Sequence, residues 1–145
     1  WLSGLHITKG TVKLNDSYFN SAPYNTDAWR NLVSCQEVGH TFGLDHQDEN
    51  FSNANLDTCM DYTDLPNSNQ HPNQHDYDEL GIIYAHPDST TTLAASTPSG
   101  SADGVGNDPA AWGTLVDGSR ERGASTYVRE LGHGNRVVTH VLWAR

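Results

Sequence analysis

Apolar positions recur at a helical period in two segments of the chain. Residues 28–42 carry an apolar stripe that follows the N-cap candidates Asn25, Thr26 and Asp27. Gly43 comes next and is a typical left-handed helix end. Residues 76–85 repeat the pattern through Tyr77, Leu80, Ile83 and Tyr84. The pattern therefore predicts two helices, 28–42 and 76–85.

Period-two alternation and β-branched residues predict the strands. Residues 5–14 read as a strand that Asn15 and Asp16 end. Residues 125–131 and 136–143 form two strand-like runs around Gly132-His133-Gly134-Asn135, which is a hairpin signal. Three polar segments predict loops: 16–26, 45–58 and 64–75. A short turn is predicted at 59–62.

Composition divides the chain into three parts. Ser, Thr, Gly, Ala and Asp dominate residues 88–108, which predicts a flexible linker over 87–111. We therefore expect a domain at 1–86 and a separate β-hairpin tail at 112–145. The fold class predicted for the whole is α+β.

The overall composition restricts the class of protein. The 145 residues are 35% hydrophobic and carry a net charge of −10. Nucleic acids and anionic membranes both favour basic surfaces, so neither is an expected partner. No segment reaches the ~20 apolar residues of a membrane span. The two cysteines, Cys35 and Cys59, would be free thiols in a cytosolic protein and a disulfide in a secreted one.

Residues 36–46 carry a set of side chains that suits a metal ion. Gln36 and His40 lie one turn apart on one face of the predicted helix. Gly43 lets the chain reverse, so that His46 can reach the same ion from the following loop. Glu37 lies beside this face, where a carboxylate can take a proton from a metal-activated water.

This run matches the zinc-protease signature H-E-x-x-H-x-x-G-x-x-H at Glu37, His40, Gly43 and His46, with Gln36 in place of the first His. The chain resembles the metzincin clan of zinc endopeptidases, in particular bacterial secreted matrixin-like proteins. Gln47, directly after the last His, matches no main branch of the clan.

The resemblance covers residues 1–86 and implies several roles. Gln36, His40 and His46 would hold one catalytic Zn²⁺, and Glu37 would be the general base. Met60 is the only methionine in the chain and would form the clan's Met-turn. Tyr62 would assist the transition state, unless it is only a packed aromatic. Residues 76–85 would be the clan's C-terminal helix, the substrate a protein or peptide, and the location extracellular.

The resemblance also suggests how the cysteines are used. Cys35 precedes Gln36 and Cys59 precedes Met60, so both flank elements expected to converge on one metal. We expect a disulfide between them; two buried thiols are the alternative. Gly43, Met60 and the two cysteines thus have structural roles in this interpretation.

Gln36 leaves three hypotheses open. Its amide oxygen, a harder donor than imidazole, is a working ligand. Alternatively it is a bystander, and water, His6, His71 or His75 completes the site. In the third hypothesis the site is inactive, and the chain is a metal-binding or protein-binding module. One oxygen-rich loop contains Asp48, Glu49, Asn50, Asn53 and Asp57. Its spacing fits no defined calcium loop, so we expect a solvated loop, with an additional Ca²⁺ site as the weaker alternative.

The stretch before the active-site helix is short for the clan, which places several strands there. Only one strand is predicted, and a lone strand makes no stable sheet. We expect an N-terminally truncated catalytic domain; the alternative is that the tail hairpin partly replaces the missing sheet. Whether this polypeptide is active without an upstream sheet stays open.

Overall fold

The computed structural model describes residues 1–87 and 106–143, which belong to two compact units. The helical unit comprises Lys9–Ala85, and the sheet unit comprises Trp1–Thr8 together with the described residues from His86 onward. Helices and an antiparallel sheet are both present, which confirms the α+β class. No helix in the described part is long and apolar enough to cross a membrane.

The two predicted helices are present in the helical unit with slightly different ends. They are preceded by a short helix that the sequence did not predict; the bounds are α1 Asp16–Phe19, α2 Asp27–Thr41 and α3 Gln74–Ile83. The Thr26 hydroxyl caps α2 by accepting from the Trp29 N–H at 3.3 Å. Asn73 and Asp76 form a capping box at the start of α3. A 3-10 turn, Pro66–Ser68, lies between α2 and α3.

The prediction of a strand over residues 5–14 is wrong for most of its length. Only His6–Ile7 is extended and paired, with Leu2–Ser3, across a turn at Gly4 whose φ is 60°. Residues 8–14 form no strand. At Gly10 an added Cβ would lie 2.6 Å from the Thr41 Cβ, so the chain packs closely against the end of α2. This tertiary contact overrides the local β preference.

The sheet unit contains a five-stranded antiparallel sheet with the order β2-β1-β5-β4-β3. Its strands are β1 Leu2–Ser3, β2 His6–Ile7, β3 Thr114–Ser119, β4 Ala124–Gly132 and β5 Asn135–Leu142. The predicted hairpin is present as β4 and β5, with Tyr127 opposite Thr139. Strand β1 adds to β5, with Leu2 opposite Arg136. The first eight residues therefore group with the tail, so the observed boundaries differ from the predicted domain 1–86.

Most of the predicted linker, 88–105, lies outside the described residues. Its last part contains a 3-10 turn, Pro109–Ala111, which the Asp108 side chain caps. The Trp112 Nε1–H donates to the Gly106 carbonyl at 3.0 Å, and its ring contacts those of Tyr127 and Trp143. The aromatic contacts give the sheet a small apolar layer.

The core of the helical unit lies where α2 meets the 59–62 turn. Leu44, Cys59 and Met60 are buried together, and Cys35 and Leu80 pack against them. Cys35 and Cys59 form a disulfide with a Cα–Cα distance of 5.9 Å, which confirms the predicted pairing. The disulfide joins residues separated by 24 positions. In the chain-entropy description, such a loop stabilises the fold by about 3 kcal/mol.

Candidate metal centre

The end of α2 sets the geometry of the candidate site. Gly43 has a φ of 97°, the left-handed conformation expected of a helix C-cap. Its N–H donates to the His40 carbonyl at 3.1 Å, and the Leu44 N–H donates to the Gly39 carbonyl at 3.2 Å. These two hydrogen bonds make a Schellman motif. The chain therefore reverses sharply and returns past the last turn of α2.

This reversal brings the two predicted histidine ligands together. The Nε2 atoms of His40 and His46 lie 3.0 Å apart, and the ring planes cross at 87°. Two imidazole ligands of a tetrahedral zinc ion have their nitrogens about 3.3 Å apart, given Zn–N bonds of about 2.0–2.1 Å. The spacing of the two nitrogens is therefore close to that of a ligand pair.

Both rings use their other nitrogen as a hydrogen-bond donor. His40 Nδ1 donates to the Leu44 carbonyl at 2.8 Å, and His46 Nδ1 donates to Glu49 Oε1 at 3.2 Å. In neutral imidazoles this leaves both Nε2 atoms unprotonated. Burial lowers the pKa of His40 and so favours its neutral form. Two lone pairs at 3.0 Å repel each other unless a proton or a metal ion lies between them.

Gln36 lies one helical turn before His40. Its side chain is 1% exposed, and among the described residues its Oε1 has no hydrogen-bond partner. A buried acceptor without a partner costs about 1–3 kcal/mol. The i, i+4 spacing places Gln36 and His40 on one face of α2, so a cation bound by the histidine pair on that face would offer this oxygen a partner. The donor set of two imidazoles and one amide oxygen thus fits a divalent metal ion.

Glu37 carries an unusual carboxyl group. Burial raises its pKa from 4.5 to about 7. Carboxyl groups with a pKa near neutrality are common among general bases. Glu37 lies three positions before His40 on α2, a spacing at which two side chains are neighbours on the helix surface.

The turn predicted at 59–62 packs directly against α2. Met60 is fully buried, and an added Cβ on Gly39 would lie 2.7 Å from its Sδ. Two backbone hydrogen bonds join the turn to the segment after His46: Gln47 N–H to the Met60 carbonyl at 2.7 Å, and Tyr62 N–H to the Asp48 carbonyl at 3.0 Å. The Met60 thioether thus lies against the helix that carries Gln36 and His40.

The support for this turn extends to α3. The buried Asp76 carboxylate accepts from the Thr58 hydroxyl and from the Asn73 N–H. The Thr58 hydroxyl oxygen in turn accepts from the Met60 N–H at 3.1 Å. A chain of hydrogen bonds therefore runs from the start of α3 to Met60.

Tyr62 lies beside the second histidine. Its ring is buried, with its centroid 4.3 Å from that of His46 and 5.0 Å from that of Phe51. The ring therefore packs against a candidate ligand. Phe51, which the sequence interpretation placed in a polar loop, covers the outer side of this tyrosine.

Within the helical unit, the other candidate histidine ligands are not brought to the histidine pair. His75 is half exposed and faces Asp76 and Glu79, each at 3.9 Å, and His71 is exposed. His6 belongs to the sheet unit, where its ring contacts His86. Within residues 1–87 and 106–143, one group of three His, Cys, Asp or Glu side chains has all its ligand atoms within 4.8 Å: Asp45, His46 and Glu49. Neither His71 nor His75 belongs to it.

That group is a feature that sequence reasoning missed. The sequence places Glu49 in an oxygen-rich, solvated loop and suggests it only weakly as a calcium ligand, whereas its carboxylate contacts the His46 ring. The sequence feature that could have indicated this contact is the spacing: Glu49 lies three residues after the candidate ligand His46. Asp48 and Asp57, from the same predicted calcium loop, are not part of the group.

Comparisons with protein-family models, with curated proteins and with solved structures found no match. The metzincin resemblance accordingly depends on residues 36–62 and their arrangement.

Proposed function

We propose that the chain is a zinc-dependent endopeptidase domain, with one zinc ion held by Gln36, His40 and His46. The observation that carries this proposal is the 3.0 Å approach of two Nε2 atoms whose rings both donate from Nδ1. A shared proton or a metal ion can occupy such a pair. The buried Gln36 Oε1 on the same helix face, which has no hydrogen-bond partner within the described part of the chain, favours the metal ion.

A bound zinc ion would supply Lewis acidity, making a water more acidic and polarising the carbonyl of the scissile peptide bond. The protein supplies the remaining functions. His40 and His46 hold the neutral tautomers that metal binding requires, through the Leu44 carbonyl and the Glu49 carboxylate.

Glu37 is the proposed general base. A carboxyl group with a pKa of about 7 can take a proton from the attacking water and later give it to the leaving amine. Because burial is the cause of the raised pKa, the water-poor surroundings that destabilise its charge also make it a stronger base. Tyr62, packed on the His46 ring, is the proposed donor to the developing oxyanion.

The remaining features favour an extracellular enzyme acting on proteins or peptides. Disulfides such as Cys35–Cys59 are typical of oxidising compartments. The net charge of −10 disfavours nucleic acid as a partner.

Two measurements test the proposal together. Zinc content is measured on protein purified without chelator, and cleavage of casein or gelatin is measured with and without a chelator. We expect one zinc per chain and chelator-sensitive cleavage, both retained in Glu79→Gln, a carboxylate change on α3. Glu37→Gln should keep the zinc and lose cleavage by at least about 100-fold, the lower end of what general-base catalysis contributes.

A protein that binds zinc but cleaves nothing, in both wild type and Glu37→Gln, would support the alternative of a non-catalytic metal-binding module. A protein that binds no zinc would refute the metal centre itself.

A further inference from the structure

The two histidines of the candidate centre differ in the group that holds each ring. His40 donates to a neutral backbone carbonyl, that of Leu44. His46 donates to a carboxylate, Glu49 Oε1, at 3.2 Å. A second carboxylate, Asp45 Oδ1, lies 3.9 Å from the same nitrogen. Of the two rings, only that of His46 has a carboxylate as the acceptor of its Nδ1–H.

We propose that Glu49 is a positioning residue for the metal centre, acting through His46; this inference rests on the proposed zinc site. A carboxylate that accepts from Nδ1–H fixes the ring orientation and makes the opposite nitrogen more basic. Two imidazoles and an amide oxygen are neutral ligands, so they would leave the ion's double positive charge uncompensated. Glu49 supplies an anionic group one shell further out.

The local structure supports a directed contact. The His46 side chain is 8% exposed, so its ring is held in place, while Glu49 is half exposed and reaches in from the loop. Tyr62 packs against the His46 ring with a centroid distance of 4.3 Å. The ring therefore has one face against an aromatic side chain, Nδ1 on the carboxylate, and Nε2 toward His40.

Asp45 has a different role and serves as the matched control. Its Oδ1 accepts from the His46 backbone N–H at 2.9 Å, so its hydrogen bond is to the main chain. Its side chain is 88% exposed, which weakens its electrostatic effect on the ring. Asp45→Asn keeps an oxygen that can accept the same backbone hydrogen bond.

The alternative use of this group is a separate surface cation site made by Asp45, His46 and Glu49. The ligand atoms are close enough for that, all lying within 4.8 Å of one another. In that case His46 would bind a second ion through Nδ1. The two carboxylates would be direct ligands that contribute similarly to the binding of that ion.

The test is zinc binding by competition with a chromophoric chelator, for wild type, Glu49→Gln and Asp45→Asn. We expect one zinc per chain in all three, with affinity reduced about 10–100-fold in Glu49→Gln, as for other outer-shell partners, and little changed in Asp45→Asn. Cobalt substitution provides a second readout. The visible absorption of the Co²⁺ form should change in Glu49→Gln, because His46 becomes a weaker donor, and should stay unchanged in Asp45→Asn.

The outcomes separate the two proposals. If wild type binds no zinc, the proposed function fails. If wild type binds one zinc and Glu49→Gln binds it equally well with an unchanged Co²⁺ spectrum, the positioning role is refuted. Two zinc ions in wild type, one of them lost equally in both variants, would assign the group to a separate cation site. Urea unfolding of the metal-free variants shows whether a loss of affinity reflects a loss of fold.

Discussion

Replacing Glu37 by Gln should make the metal-free protein more stable at neutral pH while abolishing the proposed activity. The wild-type carboxyl has a pKa raised from 4.5 to about 7 by burial. The folded state thus binds this proton more tightly than the unfolded chain does. By linkage, the stabilisation that this protonated carboxyl contributes is fully present below pH 4.5 and is lost as the pH rises through about 7. Glutamine has nearly the same shape and no charge, so it avoids this loss.

The size of the effect follows from the two pKa values. A difference of one pKa unit corresponds to 1.36 kcal/mol, so raising the pKa from 4.5 to about 7 gives up to about 3 kcal/mol at pH 8. At pH 4 both side chains are neutral, and wild type and Glu37→Gln should have similar free energies of unfolding. The variant should then become progressively more stable than wild type between pH 5 and pH 8.

The assay is urea unfolding in the presence of a chelator, followed by tryptophan fluorescence and circular dichroism at several pH values. Other titrating groups are present in both proteins, so they cancel in the difference between the two curves. Glu79→Gln, which removes a half-exposed carboxylate on α3, should show a much smaller pH-dependent difference. If the difference in free energy of unfolding between wild type and Glu37→Gln is absent, or constant from pH 4 to pH 8, the raised pKa of Glu37 is refuted.

Three further predictions concern residues around the same helix. Gln36→Ala should weaken zinc binding by more than the roughly 10–100-fold cost of losing an outer-shell partner, whereas Gln36→His should retain or raise it; equal zinc affinity of wild type and Gln36→Ala in chelator competition would exclude the ligand role. Replacing Cys35 and Cys59 together by alanine should lower the free energy of unfolding in urea by about 3 kcal/mol, and an unchanged midpoint and slope would contradict this. Gly39→Ala puts a Cβ 2.7 Å from a buried methionine sulfur and should be destabilising by about 1–2 kcal/mol in the same assay. Gly81→Ala, whose Cβ would have nothing within 4 Å, should be stabilising by about 0.5–1 kcal/mol. Equal effects at both glycines would disprove the close packing at the turn.

Local sequence signals predicted the elements whose structure depends on local interactions. The α2 helix has a capping threonine, an apolar stripe and a terminal glycine, and Gly43 adopts the conformation that its position required. The β4–β5 hairpin has a glycine-rich turn between two β-branched runs. In both cases residues close in sequence determine the backbone.

Elements that depend on distant contacts were missed. Strand β3 contains Gly118 with a φ of 75°, and its pairing with β4 shifts register between Leu115 and Asp117. Such an irregular strand lacks the alternation by which strands are recognised. The short β1 is defined by its partner in β5, far along the chain, and no local pattern encodes that pairing.

The candidate site shows the same division. The order of Gln36, His40 and His46 follows from helical spacing and one reversal of the chain, so it could be read from the sequence. The acceptor used by each Nδ1 could not, because it depends on the orientation of the rings. Glu49 was therefore assigned to a loop, although its carboxylate contacts the His46 ring.

Two neighbouring residues of α2 break the usual rules of burial, which adds support to the proposed functional centre. Gln36 has a buried oxygen without a partner among the described residues, and Glu37 has a carboxyl group whose charge is disfavoured by burial. Each lowers the stability of the metal-free fold, and the disulfide at Cys35 joins the same turn of the helix to the Met60 turn. A packed helix with no function would gain by replacing both residues with apolar ones. Local violations held in place by a covalent link are what a ligand-binding or catalytic site requires. One cation near His40 would relieve the orphan oxygen and the opposed nitrogens together, and both features therefore favour the proposed metal ion.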